Sequence, residues 1–115
     1  MSERFTKTPN DHHYAVIFSS QLADDDDGYA EMGDKMFELA LQQPGCFGAE
    51  SARDATGFGI TVSYWDSEES IARWKEDARH LVAQRMGIER WYSHYELRIA
   101  RVERAYSGPR GRSVG

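Results

Sequence analysis

The chain has 115 residues, of which 40% are hydrophobic and 29% are charged, and its formal net charge is −5. A chain of this size forms one domain with a core but is too small for a roomy ligand cavity, which would need a second chain. Because acidic and basic residues are interleaved in an acidic chain, nucleic acid is not an expected partner.

The sequence also narrows the expected environment of the protein. No apolar run approaches the roughly 20 residues of a membrane span, so a soluble protein without a membrane partner is expected. The single cysteine, Cys46, cannot form an internal disulfide, and the first residues are too polar for a signal peptide. The expected compartment is therefore the cytoplasm.

The first half of the domain is predicted to contain one strand and one helix. Residues 1–12 and 107–115 are predicted to be flexible tails around a domain at residues 13–106. A short run rich in β-forming residues predicts the first strand at 14–20. The helix at about 28–43 follows four aspartates, which favour a helix N-terminus, and Pro-Gly ends it.

The second half is predicted to contain a hairpin, a helix and a last strand. Strands at 47–53 and 58–65 are joined by a polar turn that contains glycine. Asp66 and Glu69 have the spacing of a capping box, and they predict a helix that continues to about residue 86. The last strand is predicted at 95–106, with a bulge near Ala100 where the apolar pattern changes phase.

This order of elements predicts an α+β, ferredoxin-like β-α-β-β-α-β fold. Its helices cover one face of the sheet, yet the strands carry apolar residues on both faces. In the third strand, Phe58, Ile60, Val62 and Tyr64 alternate with Gly59, Thr61, Ser63 and Trp65. The simplest cover for the second face is the same face of another copy, which predicts a homodimer whose two sheets close a dimeric α/β barrel.

Two tryptophans and one aromatic-rich segment are candidate substrate-binding residues. Trp65 ends the third strand beside small residues, and it either walls a cavity or fills the dimer core. Trp74 lies on the apolar stripe of the second helix, where it either contacts a ligand or packs on the sheet. Arg90, Trp91 and Tyr92 begin a cluster that either covers an aromatic ligand or plugs the dimer seam.

The candidates for proton transfer, and so for catalysis, are His94, Tyr64 and Glu50. Burial would raise the pKa of Glu50 and suit it to proton abstraction, whereas the alternative is a buried ion pair with Arg98 or Arg101. The adjacent His12 and His13 have no further ligands at a suitable spacing, so no metal site is expected.

Several segments, taken in order, resemble the antibiotic biosynthesis monooxygenase (ABM) domain family across about residues 13–106. The segments are Gln42-Gln43-Pro44-Gly45, Glu50-Ser51-Ala52-Arg53, Gly57 through Trp65, and Arg90-Trp91-Tyr92-Ser93 before the last strand. The resemblance implies a ferredoxin-like protomer, a homodimeric barrel and a pocket between sheet and helices for a flat aromatic compound.

The resemblance also implies a chemistry. In the anthrone and quinol oxygenases of the family, the substrate loses a proton and its carbanion reacts with O2 without metal or flavin, so no cofactor is expected. The haem-degrading branch uses an Asn, a Trp and a His ten residues after that Trp. Trp74 resembles this tryptophan, but Gln84 stands in place of the histidine and the first strand has no Asn.

The hypothesis is therefore a cofactor-independent monooxygenase acting on a small anthrone- or quinol-type aromatic. The competing hypothesis is a dimeric, non-catalytic protein that binds an aromatic ligand, for example in a stress response. Haem degradation is the least favoured alternative.

Overall fold

Four antiparallel strands form one sheet in a computed structural model, which describes residues 4–22, 37–84 and 92–108, with only the backbone at 79–84, 92 and 93. The strands are β1 (His13–Leu22), β2 (Cys46–Arg53), β3 (Phe58–Trp65) and β4 (Tyr92–Val102), in the spatial order β2-β3-β1-β4. Helix α1 is described at residues 37–42, and helix α2 spans Glu68–Gln84. The predicted α+β, ferredoxin-like protomer is confirmed.

The register separates the side chains of the sheet into two sets, because successive residues of a strand point to opposite faces. Trp65 pairs with Tyr14 and Ser63 with Val16, and these residues lie on the face that the helices cover. We call it the helix face. Tyr64, Val62, Ile60 and Phe58 lie on the opposite face, which we call the outer face, as the alternation in β3 predicted.

The core lies between the helix face and the two helices. Val16, Ala40, Trp65 and Ile71 form its buried centre, and the partly buried Trp74 packs against them. Ala78 is buried one turn further along α2. The predicted packing of the Ile71, Trp74 and Ala78 stripe on the sheet is therefore confirmed.

The start of α2 differs by one residue from the predicted capping box. The Ser67 hydroxyl accepts a hydrogen bond from the Ser70 amide at 3.1 Å, so Ser67 is the N-cap residue. Asp66 instead accepts a hydrogen bond from the Ser70 hydroxyl and donates its own amide to the Gly45 carbonyl. Asp66 therefore ties the helix start to the turn before β2.

The predicted bulge at Ala100 is wrong. Ala100 pairs with Ala15 in an uninterrupted ladder, and the register shift between β1 and β4 lies at Gln21 and Leu22. Residues 94–101 are exposed on both faces of this edge strand. Because neither face of β4 is packed in the core, the pattern of apolar residues along β4 does not predict its register with β1.

Candidate functional site

The two tryptophans meet where β3 leads into α2. The Trp65 and Trp74 ring centroids are 5.7 Å apart with the ring planes inclined by 37°. Trp65 is 0% exposed, and its indole N–H donates to the Ser63 hydroxyl at 2.8 Å. Trp65 therefore fills the core of its own chain beneath α2, and its only polar group is already paired.

Trp74 differs from Trp65 in the state of its indole nitrogen. Trp74 Nε1 is buried and finds no hydrogen-bond acceptor among the residues that the structure describes. A buried donor without a partner costs roughly 1–3 kcal/mol, so such groups are rare in folded proteins. Trp74 Nε1 is thus the one buried side-chain donor that the described residues leave without an acceptor.

Apolar side chains also line β1 and β4 on the helix face. Phe18 and Tyr95 contact each other with ring centroids 5.4 Å apart. Leu97 pairs with Phe18, and Ile99 pairs with the core residue Val16. Tyr95, Leu97 and Ile99 remain exposed, so the helix face presents an open aromatic and aliphatic floor beside β4.

Two of the three predicted proton-transfer residues lie together on the outer face. The Tyr64 hydroxyl donates to Glu50 Oε1 at 3.0 Å, and the Thr6 amide donates to Glu50 Oε2 at 2.8 Å. Burial and the adjacent carboxylate raise the pKa of Tyr64 to about 12, so its hydroxyl stays protonated at neutral pH.

The alternative partners proposed for Glu50 are not its partners in the structure. Glu50 pairs with Val62, Val62 with Ile17, and Ile17 with Arg98, so three strand spacings separate Glu50 from Arg98. That separation is about 14 Å, which is too far for an ion pair. Arg101 lies 3.5 Å from Glu103 instead. The expected pair of Glu50 with Arg98 or Arg101 is therefore wrong.

His94 is remote from the Glu50–Tyr64 pair. It pairs with Gln21 at the other end of the sheet, is exposed, and lies 2.8 Å from the Glu96 carboxylate. The three candidates therefore do not converge on one site. The sheet also separates Glu50 and Tyr64 from Trp65 and Trp74, so one small ligand cannot contact both pairs.

The remaining predicted binding residues are not placed. Arg90 and Trp91 lie outside the described residues, and Tyr92 is described by its backbone alone, as the first residue of β4. Their roles stay predictions.

Metal and thiol chemistry have little support among the described residues. Within the described ranges, no group of three or more His, Cys, Asp or Glu is arranged to hold a metal ion. Burial raises the pKa of the Cys46 thiol, which disfavours the reactive thiolate. No helix in the described part of the chain is long and apolar enough to cross a membrane.

Sequence reasoning missed two features of these surfaces. The exposed apolar side chains of Tyr95, Leu97 and Ile99 could have been found from the apolar alternation at 95, 97 and 99. The bond between Thr6 and Glu50 joins residues 44 positions apart and has no sequence signal, because a backbone amide is its donor.

One relative with a similar sequence covers nearly the whole chain. No protein-family model matches the chain. The chain is 46% identical over 104 residues to "Uncharacterized protein YqjZ" of Bacillus subtilis, a match that spans 90% of this chain and 91% of that protein. A second match, to "Jasmonate monooxygenase ABM" of Pyricularia oryzae, is 35% identical over 46 residues, 40% of this chain and 21% of that protein.

Solved structures share the fold at low sequence identity. The "putative antibiotic biosynthesis monooxygenase" of Nitrosomonas europaea has a TM-score of 0.62 and 15% identity over 82% of this chain and 92% of its own. The protein of the same name from Chloroflexus aurantiacus has a TM-score of 0.60 and 16% identity over 86% and 99%. Protein SO0527 of Shewanella oneidensis has a TM-score of 0.66 and 10% identity over 88% and 100%.

Identities of 10 to 16% show only a shared fold, whereas the 46% identity to YqjZ over nearly the whole chain shows shared descent. The chain has the ferredoxin-like α+β fold of these structures and belongs to the family of the Bacillus subtilis protein YqjZ.

Proposed function

We propose that the protein is a cofactor-independent monooxygenase of the ABM family that acts, as a homodimer, on a small quinol- or anthrone-type aromatic. The observation that carries this proposal is the buried indole N–H of Trp74, which has no acceptor among the described residues and lies on the helix face, where β4 exposes Tyr95, Leu97 and Ile99. The names of two structural neighbours and of the jasmonate monooxygenase support it at the level of reaction type.

The proposed chemistry uses an apolar surface and one hydrogen-bond donor. The tilted ring pair of Phe18 and Tyr95, together with the exposed aliphatic side chains of β4, offers an apolar surface on which an aromatic substrate would pack. Trp74 Nε1–H would donate to a substrate oxygen that gains negative charge when the substrate loses a proton. The proton would pass to solvent, since none of the three predicted acceptors lies at this site. The resulting carbanion would then reduce O2, with one oxygen atom retained on the substrate carbon as a carbonyl and the other released as water, so the electrons come from the substrate itself.

The first experiment measures O2 consumption by the metal-free protein with anthrones, dihydroxynaphthalenes and quinols, against a control without protein. Uptake that survives dialysis and a chelator supports a cofactor-independent oxygenase. Uptake no faster than the control with every compound contradicts it and favours the non-catalytic binding protein. Binding would then be sought by quenching of tryptophan fluorescence with the same panel.

Trp74→Phe tests the role of the indole N–H, since it keeps an aromatic ring and removes the donor. With an active substrate, we expect kcat/KM to fall about tenfold, as the loss of one hydrogen bond to a charged oxygen predicts. Lys75→Gln, at the exposed neighbouring position of α2, is the control and should leave kcat/KM unchanged. Equal losses in both variants would show that α2 was disturbed generally.

Glu50→Gln, Tyr64→Phe and His94→Ala test where the proton goes. Because all three residues lie on the outer face, on the side of the sheet opposite the proposed site at Trp74, we expect each variant to retain most of the turnover. A loss of more than about a hundredfold in any one of them would restore that residue as the proton acceptor, since general-base catalysis contributes that much.

A further inference from the structure

The segment before β1, residues 4–12, folds back over the outer face, and we call it the N-terminal strap. The Ala105 amide donates to the Asn10 carbonyl at 2.9 Å, which continues the pairing of His13 with Val102 beyond the strand ends. Further along, the Thr6 amide donates to Glu50 on β2. The strap is thus tied at one end beside β4 and at the other on the opposite edge strand.

Glu50 is the anchor of the far end of the strap. Its two carboxylate oxygens accept from two different donors, the Tyr64 hydroxyl and the Thr6 amide. Hydrogen bonds to an ionised acceptor are roughly twice as strong as those between neutral groups. The Glu50 carboxylate therefore joins the strap to the sheet without any other charged partner among the described residues.

Strand β2 is shaped to receive the strap. A Cβ added at Gly48 would lie 2.8 Å from Thr6 Cγ2, and the φ angle of Gly48 is +146°, which favours glycine. The register shift between Cys46 and Gly48 falls at the same place. The absence of a side chain at Gly48 leaves the space that the Thr6 side chain occupies.

The corner beneath the strap contains titratable side chains. His13 is 2% exposed, and its ring meets those of Phe47 and Tyr64 with centroids 6.1 and 6.0 Å away. His13 Nδ1 lies 3.0 Å from the carbonyl oxygen of Asp11 in the strap. Opening the strap would expose this imidazole and the Tyr64 hydroxyl to solvent.

We propose that the N-terminal strap is a latched cover, held by Glu50, that opens locally and controls access to the His13–Tyr64 corner of the outer face. The latch does not depend on the oxygenase proposal, since it lies on the other side of the sheet. Its far end is tied through the bond from the Thr6 amide to Glu50 and lacks the continuous ladder of backbone bonds that joins the strands beneath it, so it opens at a lower free energy than those strands.

Trypsin tests the latch, because the strap carries cleavage sites after Arg4 and Lys7. We expect Glu50→Ala to speed cleavage at these sites about tenfold, as the loss of a hydrogen bond to a charged group predicts. Tyr64→Phe is the matched control, since it removes the other donor to Glu50 and leaves the Thr6 bond in place. Glu50→Gln, whose amide oxygen can still accept from Thr6, should fall between Glu50→Ala and the parent.

Two outcomes would overturn the latch. One is cleavage of Glu50→Ala at the parent rate; the other is equal acceleration in Glu50→Ala and Tyr64→Phe, which would mean general destabilisation. The parent protein provides a test that needs no variant. Amide hydrogen exchange at Thr6 should be at least about tenfold slower than in an unstructured peptide, and an unprotected Thr6 amide would refute the latch.

Discussion

The turn between β2 and β3 depends on one carboxylate. Asp54 Oδ1 accepts hydrogen bonds from the Thr56 amide and hydroxyl and from the Phe58 amide, at 2.7 to 3.1 Å. The hydrogen bond from the Thr56 side chain is the largest cause that lowers the pKa of Asp54 from its ordinary value of 3.8. The charged form of this side chain therefore favours the folded hairpin.

We expect the contribution of Asp54 to stability to depend on pH. Because the folded pKa is lowered, the contribution is complete above the unfolded value of 3.8 and is lost as the pH falls through the lower folded value. Asp54→Asn should therefore lower the thermal midpoint at neutral pH, and the difference from the parent should shrink as the pH falls below the lowered folded pKa. Glu38→Gln, on the exposed side of α1, is the control, and a gap that does not change with pH would contradict the prediction.

At the scale of residues, sequence reasoning found which side chains are unusual but not which of them meet. The strand period placed Trp65 and Tyr64 on opposite faces of β3, and the register confirms this. The partners of Glu50 could not be predicted, because the distance between residues on different strands depends on the order of the strands in the sheet. Once β2 and β4 are known to be the two edges, Arg98 is too far from Glu50 to pair with it.

At the scale of elements, α2 begins with a cap that can be tested directly. Ser67→Ala removes the acceptor of the Ser70 amide and should lower the free energy of unfolding by about 1 kcal/mol in urea denaturation. Ser67→Asp keeps an acceptor at the same position and should retain most of the stability. If Ser67→Asp loses as much as Ser67→Ala, the bond between the Ser67 and Ser70 hydroxyls, not the cap, is the stabilising contact.

Predictions for whole elements succeeded where local signals mark both ends of a strand and failed for the exposed edge strand β4. The bounds of β3 were predicted to the residue, because turn residues precede it and a helix cap follows it. Strand β4 begins three residues earlier and ends four residues earlier than predicted. Its edge position leaves the hydrophobic pattern without a core to match, so the pattern gave neither its ends nor its register.

At the scale of the whole molecule, the outer face leaves apolar side chains uncovered. Phe58 is 45% exposed and Ile60 43% exposed, side by side on β3, while the strap covers the Glu50 end of the same face. Adjacent exposed apolar residues on a sheet face are typical of an interface. This surface supports the proposed two-fold dimer, and we expect the centre of its interface to lie away from the strap.

The dimer can be tested by placing a charge on that surface. Ile60→Glu would bury an unpaired carboxylate in the proposed interface, which should weaken the dimer at least about a hundredfold and give a monomer at micromolar concentration. Leu41→Glu is the matched control, because Leu41 is 45% exposed on α1 and lies away from the outer face. Light scattering should give twice the chain mass for the parent and for Leu41→Glu, and the single-chain mass for Ile60→Glu. A monomeric parent protein, or an Ile60→Glu variant that remains dimeric, would exclude the outer face as the interface, and the exposed Phe58 and Ile60 would then require another partner.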